Sequence, residues 1–308
     1  MNIRRFGVIS AAATLSGLLS GCKLVLLDPA GDVATQQGEL IVYATVLMLI
    51  IILPVMAITV LFSVHYRSSN QKARYEPEWD HSVSLEIVVW ALPLAIVICL
   101  AGLTWVATHR LEPYNDLRRV SSDKPIDPTV TPLTVQVVSL NWKWVFIYPE
   151  QGIATVNEVA TVVDRPVEFK LTSGTVMNAF YIPDFAGMIY TMAAMETELN
   201  GVLNAPGTYR GFASHYNGAG FSYMDFDVHA FDEEGFTAWA DTVRTTGTAL
   251  DRDAYLLLEA PTIDHPVTYF SSVEADLWRR ILSMCVAADA VCVEDLGSHS
   301  GHGLHSDH

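Results

Sequence analysis

The sequence predicts a membrane protein of mixed class: a two-helix transmembrane hairpin, then an all-β sandwich domain, then a small helical C-terminal appendage. Three observations predict it. Residues 41–64 and 87–106 are uncharged apolar runs, each near the ~20 residues a helix needs to cross a bilayer. From about Leu133 the chain changes to short runs of period two, rich in β-branched and aromatic residues and punctuated by Gly, Pro, Asn and Asp, which is the pattern of a sandwich or Greek-key barrel. After Phe231 the apolar spacing becomes helical again.

Composition narrows the function classes. A chain of 308 residues holds a membrane anchor and one or two compact domains. Hydrophobic residues make up 51%, high for a soluble protein, and the excess lies in the two apolar runs. The net charge of −16 excludes a nucleic-acid partner, because binding phosphates needs clustered Lys and Arg. The acid reads as a solvated surface. Four Cys are too few and too scattered for a disulfide framework or a zinc site.

The N-terminus reads as a secretory signal. Arg4 and Arg5 form a positive region, residues 6–19 an apolar core, and small residues precede Cys22. The ending Leu19-Ser20-Gly21-Cys22 resembles the lipobox of bacterial lipoproteins. That resemblance implies removal of residues 1–21 and lipidation of Cys22, with diacylglycerol on its thiol and an acyl chain on its freed amine. The lipidated terminus and the two spans then fill residues 22–112. Pro54 and Pro93 lie inside the runs and suggest kinked helices packed on neighbours that satisfy the freed carbonyls. Tyr43, His65, Tyr66, Trp90 and Trp105 lie near the ends, as interfacial residues do. Cys99 reads as a small buried hydrophobe. A lipidated N-terminus lies outside the bacterial inner membrane, and Arg67, Lys72 and Arg74 in the connecting loop obey the positive-inside rule. Both arguments place the domain after residue 106 in the periplasm.

Strand-like runs cover 134–140, 142–149, 167–172, 179–183, 197–203, 208–214 and 223–230, within a β domain spanning 130–230. No phosphate-binding glycine loop or nucleophile elbow is present, and no catalytic constellation can be assembled. In the appendage, residues 231–296, helical spacing covers 232–245 and 273–289, and an irregular stretch with Pro261 and Pro266 lies between. Cys285 and Cys292 would stand roughly 10 Å apart on a regular helix, too far for a disulfide; a bridge requires the helix to end between them, and both outcomes stay open. The Gly/Ser/His-rich tail, 297–308, carries His299, His302, His305 and His308 and reads as a solvated segment, with weak divalent-metal binding as the other reading.

The motifs Asn141-Trp142-Lys143-Trp144-Val145-Phe146-Ile147-Tyr148-Pro149-Glu150-Gln151, ATVNE at 154–158, NAFYIP at 178–183, MIYTMAAMET at 188–197 and VTYFSSVEADLW at 267–278 resemble subunit II of the haem–copper terminal oxidases, and most closely its quinol-oxidase branch, the cytochrome bo type. The similarity covers nearly the whole chain. It implies a cupredoxin-like fold for the β domain. In copper-bearing relatives that domain holds a dinuclear copper centre on a loop with two Cys four residues apart, a carbonyl donor between them, then a His and a Met. Here residues 207–224, GTYRGFASHYNGAGFSYM, put Ala213 and Asn217 at the Cys positions, His215 at the carbonyl position, Phe221 at the His position and Met224 at the Met position; Asn178 stands where the first His would be. Thiolates hold copper as soft charged donors; Ala has no donor atom and Asn only a hard amide. The resemblance therefore implies a metal-free subunit and electrons that bypass it, as when a membrane quinol is the donor.

It further implies that the haems, the active-site copper and most of the ubiquinol chemistry belong to oxidase subunit I, that subunits III and IV assemble alongside, and that this chain has no catalytic residue of its own. Glu86, at the cytoplasmic mouth of the second span, falls where the family has a carboxylate near the entrance of a proton pathway into subunit I. Its plainer reading is a helix N-terminal carboxylate favoured by the dipole. Trp142 and Trp144 read as core or interface aromatics, and Met188, Met192 and Met195 as irregular core filling. Two rival functions are a cytochrome c oxidase subunit II carrying copper, and a periplasmic copper carrier or assembly factor using the His tail and the Met group.

Overall fold

The computed structural model describes residues 24–74, 76, 78–115 and 117–293; Cys22 and the His-rich tail lie outside them. Helix α1 (Asp32–His65) and helix α2 (Val83–Arg110) are the two elements long and apolar enough to cross a membrane. Both run past the apolar windows. At ~1.5 Å per residue α1 is about 51 Å long against a hydrocarbon core of ~30 Å, so its first turns stand clear of the bilayer. Those turns dock on the β domain: Asp32, Val33 and Ala34 are buried, Gly31 bridges to Leu203, and Asp32 Oδ2 accepts from Arg119 Nε at 2.9 Å and Gln36 Nε2 at 2.8 Å.

Pro54 and Pro93 lie inside the helices. One turn beyond Pro54, Thr59 and Ser63 hydroxyls donate back to the Val55 and Thr59 carbonyls at 2.7 Å. Most side chains of the spans are uncovered. Cys99 is exposed among them, not buried as expected, because the chain alone supplies no neighbour for that face of α2.

A small ribbon, β1 (Arg119–Ser121) and β2 (Lys124–Pro125), leads into the sandwich. The remaining strands are β3 (Leu133–Leu140), β4 (Lys143–Tyr148), β5 (Ile153–Val156), β6 (Glu158–Val162), β7 (Val167–Ser173), β8 (Asn178–Tyr181), β9 (Ile189–Thr191), β10 (Thr197–Gly201), β11 (Gly207–Ala213), β12 (Asp225–Phe231), β13 (Thr248–Leu250) and β14 (Thr268–Val273). One sheet runs β10-β7-β3-β4-β5-β14-β13 and the other β6-β12-β11-β8-β9. The β3–β7, β6–β12 and β13–β14 pairs are parallel. Between the sheets Phe146, Phe169, Phe180 and Phe226 meet ring to ring at 5.0–6.4 Å. Aromatic pairs at such spacings add roughly 0.5–1.5 kcal/mol each beyond burial.

The C-terminal region forms a third layer. Helix α3 (Glu233–Thr246) is capped by Asp232, which accepts from Gly235 N at 2.7 Å, and buries Phe236, Ala240 and Val243 at helical spacing. Helix α4 (Arg252–Glu259) is capped by Asp251 in the same way, and helix α5 (Leu277–Leu282) follows β14. Leu250, Tyr255, Leu258, Phe270, Leu277 and Ile281 pack on Val138, Leu140, Val145 and Ile147, the outward side chains of β3 and β4. The appendage thus lies on the sandwich, and it is not purely helical. The stretch between its two expected helices is ordered as β13, α4 and β14, and both strands extend the larger sheet. Covered on both faces, β4 is buried at every residue, which explains a near-continuous apolar run where a one-sided strand would alternate.

Helix α5 stops at Leu282, and Met284 turns the chain at φ 57°. Cys285 and Cys292 are thereby brought to a Cα separation of 4.8 Å and bridged. The open alternative is settled by the early helix end.

Candidate functional site

The loop that connects β11 to β12 is the site singled out by sequence. Its neck is closed by Ala213 N donating to Met224 O at 2.9 Å, and Ser214 N reaches Ala179 O on β8 at 3.0 Å. Trp142, in the β3–β4 turn at φ 65°, lies against the loop. Its ring occupies the space a side chain on Gly220 would need, and its Nε1 donates to Asn217 O at 3.2 Å. Bulky residues rarely hold a positive φ, so the packing against Gly218 and Gly220 holds this turn in place.

Inside the loop the structure brings three of the six positions into one network. Asn217 Nδ2 donates to Asn178 Oδ1 and lies 3.0 Å from Met224 Sδ. Asn178 Nδ2 donates to Ser139 Oγ at 3.2 Å and Val176 O at 3.1 Å. The Ser139 and Thr191 hydroxyls bond at 2.8 Å, and Thr191 Oγ1 donates to Asn178 O at 3.3 Å. Asn178, Ala213 and Met224 are buried, and Ala213 contributes only backbone. The other two positions make ring contacts outside the network: the His215 ring packs edge-on to Tyr190 at 6.0 Å, and Phe221 packs on Tyr216 at 5.6 Å and against the core.

The donor set does not fit copper. The Asn178 amide, the Asn217 amino group and the Met224 thioether are bonded to each other or to neighbouring hydroxyls and carbonyls. Asn217 Oδ1 is buried without a partner, and no thiolate or imidazole enters the ring. Among the described residues no group of three or more His, Cys, Asp and Glu is placed to hold a metal. The Met group is not core filling either, since Met188 and Met195 are exposed. Trp144 is fully buried against Phe180 and Phe226.

Glu86 sits in the first turn of α2, its Oε1 3.0 Å from His81 Nδ1, with both side chains more than half exposed.

Two polar clusters escaped the sequence reading. Lys143, at 1% exposure, donates Nζ to Leu258 O at 2.7 Å and Ala260 O at 2.8 Å, closing the C-terminal end of α4. Burial holds its ammonium below the ordinary lysine range. Burial, and then the Lys143 charge, push the His265 imidazole down, and burial pushes the Glu259 carboxyl up. In the second cluster Glu158 Oε1 accepts from Trp239 Nε1 at 2.8 Å and Tyr269 Oη at 2.9 Å. Burial, reinforced by Glu158, pushes the Tyr269 phenol up to about 12. The only cue in sequence was a lysine inside an otherwise apolar strand. Both clusters fasten the third layer to the sandwich.

Residues 244–289 match the COX Aromatic Rich Motif family, the segment that these clusters anchor. Over 266 residues the chain is 45% identical to cytochrome bo(3) ubiquinol oxidase subunit 2 of Pseudomonas aeruginosa, covering 86% of this chain and 78% of that one. It is 42% identical over 281 residues to ubiquinol oxidase subunit 2 of Acetobacter aceti, covering 91% and 88%. Among solved structures, the periplasmic domain of cytochrome oxidase subunit II of Bradyrhizobium japonicum is 20% identical, covers 38% of this chain and 96% of that domain, and has a TM-score of 0.35. Identity of this order, held over most of both chains, shows that the protein belongs to the ubiquinol oxidase subunit 2 family of the haem–copper oxidases.

Proposed function

We propose that the chain is the metal-free subunit II of a proton-pumping oxidase that oxidises ubiquinol and reduces oxygen to water. The amide network of Asn178 and Asn217 carries this reading: it occupies the place of a copper centre with groups that cannot pass electrons. The haems and the active-site copper then belong to subunit I, against which one side of the hairpin packs, and subunits III and IV complete the assembly. Lipidated Cys22 and the basic loop 67–74 orient the chain in the inner membrane, with the β domain in the periplasm. A cytochrome c oxidase subunit II is disfavoured by the same network. A copper carrier is disfavoured because it needs an anchor and not two spans.

The test is made on the complex purified mildly through this chain. Oxygen consumption driven by ubiquinol, none by reduced cytochrome c, haem in the sample and no near-infrared dinuclear copper band are the expected results. Cytochrome c activity with that band would overturn the reading, and absence of haem would favour the carrier.

Glu86 is assigned to the entrance of the proton pathway, supported by its place in the first turn of α2 and its exposed pairing with His81. Glu86→Gln is expected to lower quinol-driven turnover several-fold while leaving assembly and haem content intact. Unchanged turnover across pH would return Glu86 to a helix N-terminal role.

A further inference from the structure

Where α2 leaves the bilayer, three cavities join. A shallow groove of about 540 Å³ runs along the outer half of α2 and is lined by Val97, Leu100, Ala101, Thr104, Trp105 and Thr108. A second, of about 310 Å³, shares Thr108 and His109 with it. That one in turn shares His109, Leu111, Glu112 and Pro113 with a polar pocket of about 240 Å³ between the hairpin and the β domain. The lower part is apolar and the upper part charged.

The top of the pocket is lined by three arginines and two acidic residues. Asp32 is taken by Arg119 at 2.9 Å, so this pair is neutral. Arg110 and Arg118 also line the pocket, and neither has an acidic partner within salt-bridge distance among the described residues. Glu112 offsets one of them, so the described lining carries one net positive charge; Asp116 lies outside the described residues. His109 Nδ1 donates to Trp105 O, 2.9 Å away, so the opposite edge of its ring is left for a ligand.

Length fixes the rest of the ligand. From Val97 to Thr108 the helix rises about 16 Å at ~1.5 Å per residue, close to the depth of one leaflet, half of a ~30 Å hydrocarbon core. The groove therefore accompanies one acyl chain from mid-membrane to the interface and delivers its headgroup to the two guanidinium groups. Guanidinium matches phosphate geometry through parallel N–H donors.

We infer that this continuous groove and pocket bind one glycerophospholipid of the outer leaflet, its acyl chain along Val97–Thr108 and its phosphodiester on Arg110 and Arg118. The bound lipid wedges the hairpin against the β domain. The inference rests on the membrane orientation of the hairpin and not on the oxidase reading.

The test uses the full chain in its native assembly, stripped of lipid in detergent and followed by native mass spectrometry. It is titrated with phosphatidylglycerol, with diacylglycerol of the same tails, and with inorganic phosphate. One phosphatidylglycerol per chain is expected, bound about tenfold or more tighter than either control. R110Q/R118Q is expected to weaken it about tenfold, and A101F, which fills the groove and leaves the charges, to do likewise. Diacylglycerol binding as well as phosphatidylglycerol would overturn the headgroup site. Inorganic phosphate binding as well would mean a free-anion site and overturn the lipid, as would retention of a quinol in its place. Equal binding by wild type and both variants would also overturn it. The selectivity arms need no variant, so a misfolded substitution does not shield the inference.

Discussion

At residue scale, chemistry at Asn178, Asn217 and Lys143 follows from what burial demands. A buried amide must find partners, and Asn178 finds them in Asn217, Ser139 and Val176. Asn178→Ala removes a buried partner and is expected to cost about 1–3 kcal/mol of stability, read from denaturant midpoints. His265 provides the pH test. Its folded-state value is lowered, so below its unfolded value near ~6.5 the unfolded chain takes up a proton that the folded chain refuses. Stability is full above that pH and falls as pH drops through it. For one proton the slope is at most about 1.4 kcal/mol per pH unit. Glu259, with a raised value, acts in the opposite sense, so the comparison is wild type against His265→Gln, which leaves Glu259 in place. The variant's acid limb should be flatter; an identical limb would remove His265 from the account.

At the scale of elements, the junction between α1 and the β domain depends on the absence of a side chain. Gly31 has φ −106°, which any residue adopts, so conformational freedom is not the reason for glycine. Space is: a Cβ there would lie 2.7 Å from the carbonyl oxygens of Asp184 and Val202 and 2.8 Å from that of Phe185. Backbone carbonyls cannot move aside cheaply, and overpacking of this kind costs about 1–3 kcal/mol. Gly31→Ala should increase hydrogen exchange at the start of α1 and along β10 while leaving the exchange of β3 and β4 unchanged. At the other end of the chain, the Cys285–Cys292 bridge closes a short loop just past α5. Cys285→Ser is expected to lower stability by about 2–3 kcal/mol, the loop-entropy value for so short a ring.

At the scale of the whole molecule, three layers and a hairpin make one unit, and among the described residues no group of three or more His, Cys, Asp and Glu is placed to hold a metal. Core aromatics and an amide network fill the space between the sheets, so the sandwich is expected to fold without an ion. Incubation with a strong chelator should leave its melting temperature unchanged, whereas a large drop would show a structural metal. Binding a metal to the folded state only would raise that temperature by mass action, which gives copper titration as the converse experiment.

Hydrophobicity and periodicity are local properties, and what depended on them could be read directly. The two spans followed from uncharged runs of bilayer length, and β3, β4, β7, β8, β10, β11 and β12 from period-two apolar runs. The absence of copper ligands at residues 178 and 207–224 was what the family resemblance implied. Other features needed partners distant in the chain. β13 and β14 are short, and pairing across the sheet makes them strands; β4 is buried on both faces only because residues from 250 to 286 fold back over it. Asn217 and Asn178 stand 39 positions apart, and no spacing rule predicts that one donates to the other. The disulfide turned on where α5 ends, a matter of one turn. Sequence by itself determined the composition-driven elements; tertiary structure decided which polar side chains meet, because the partners of a buried polar group are chosen by packing and not by neighbours in the chain.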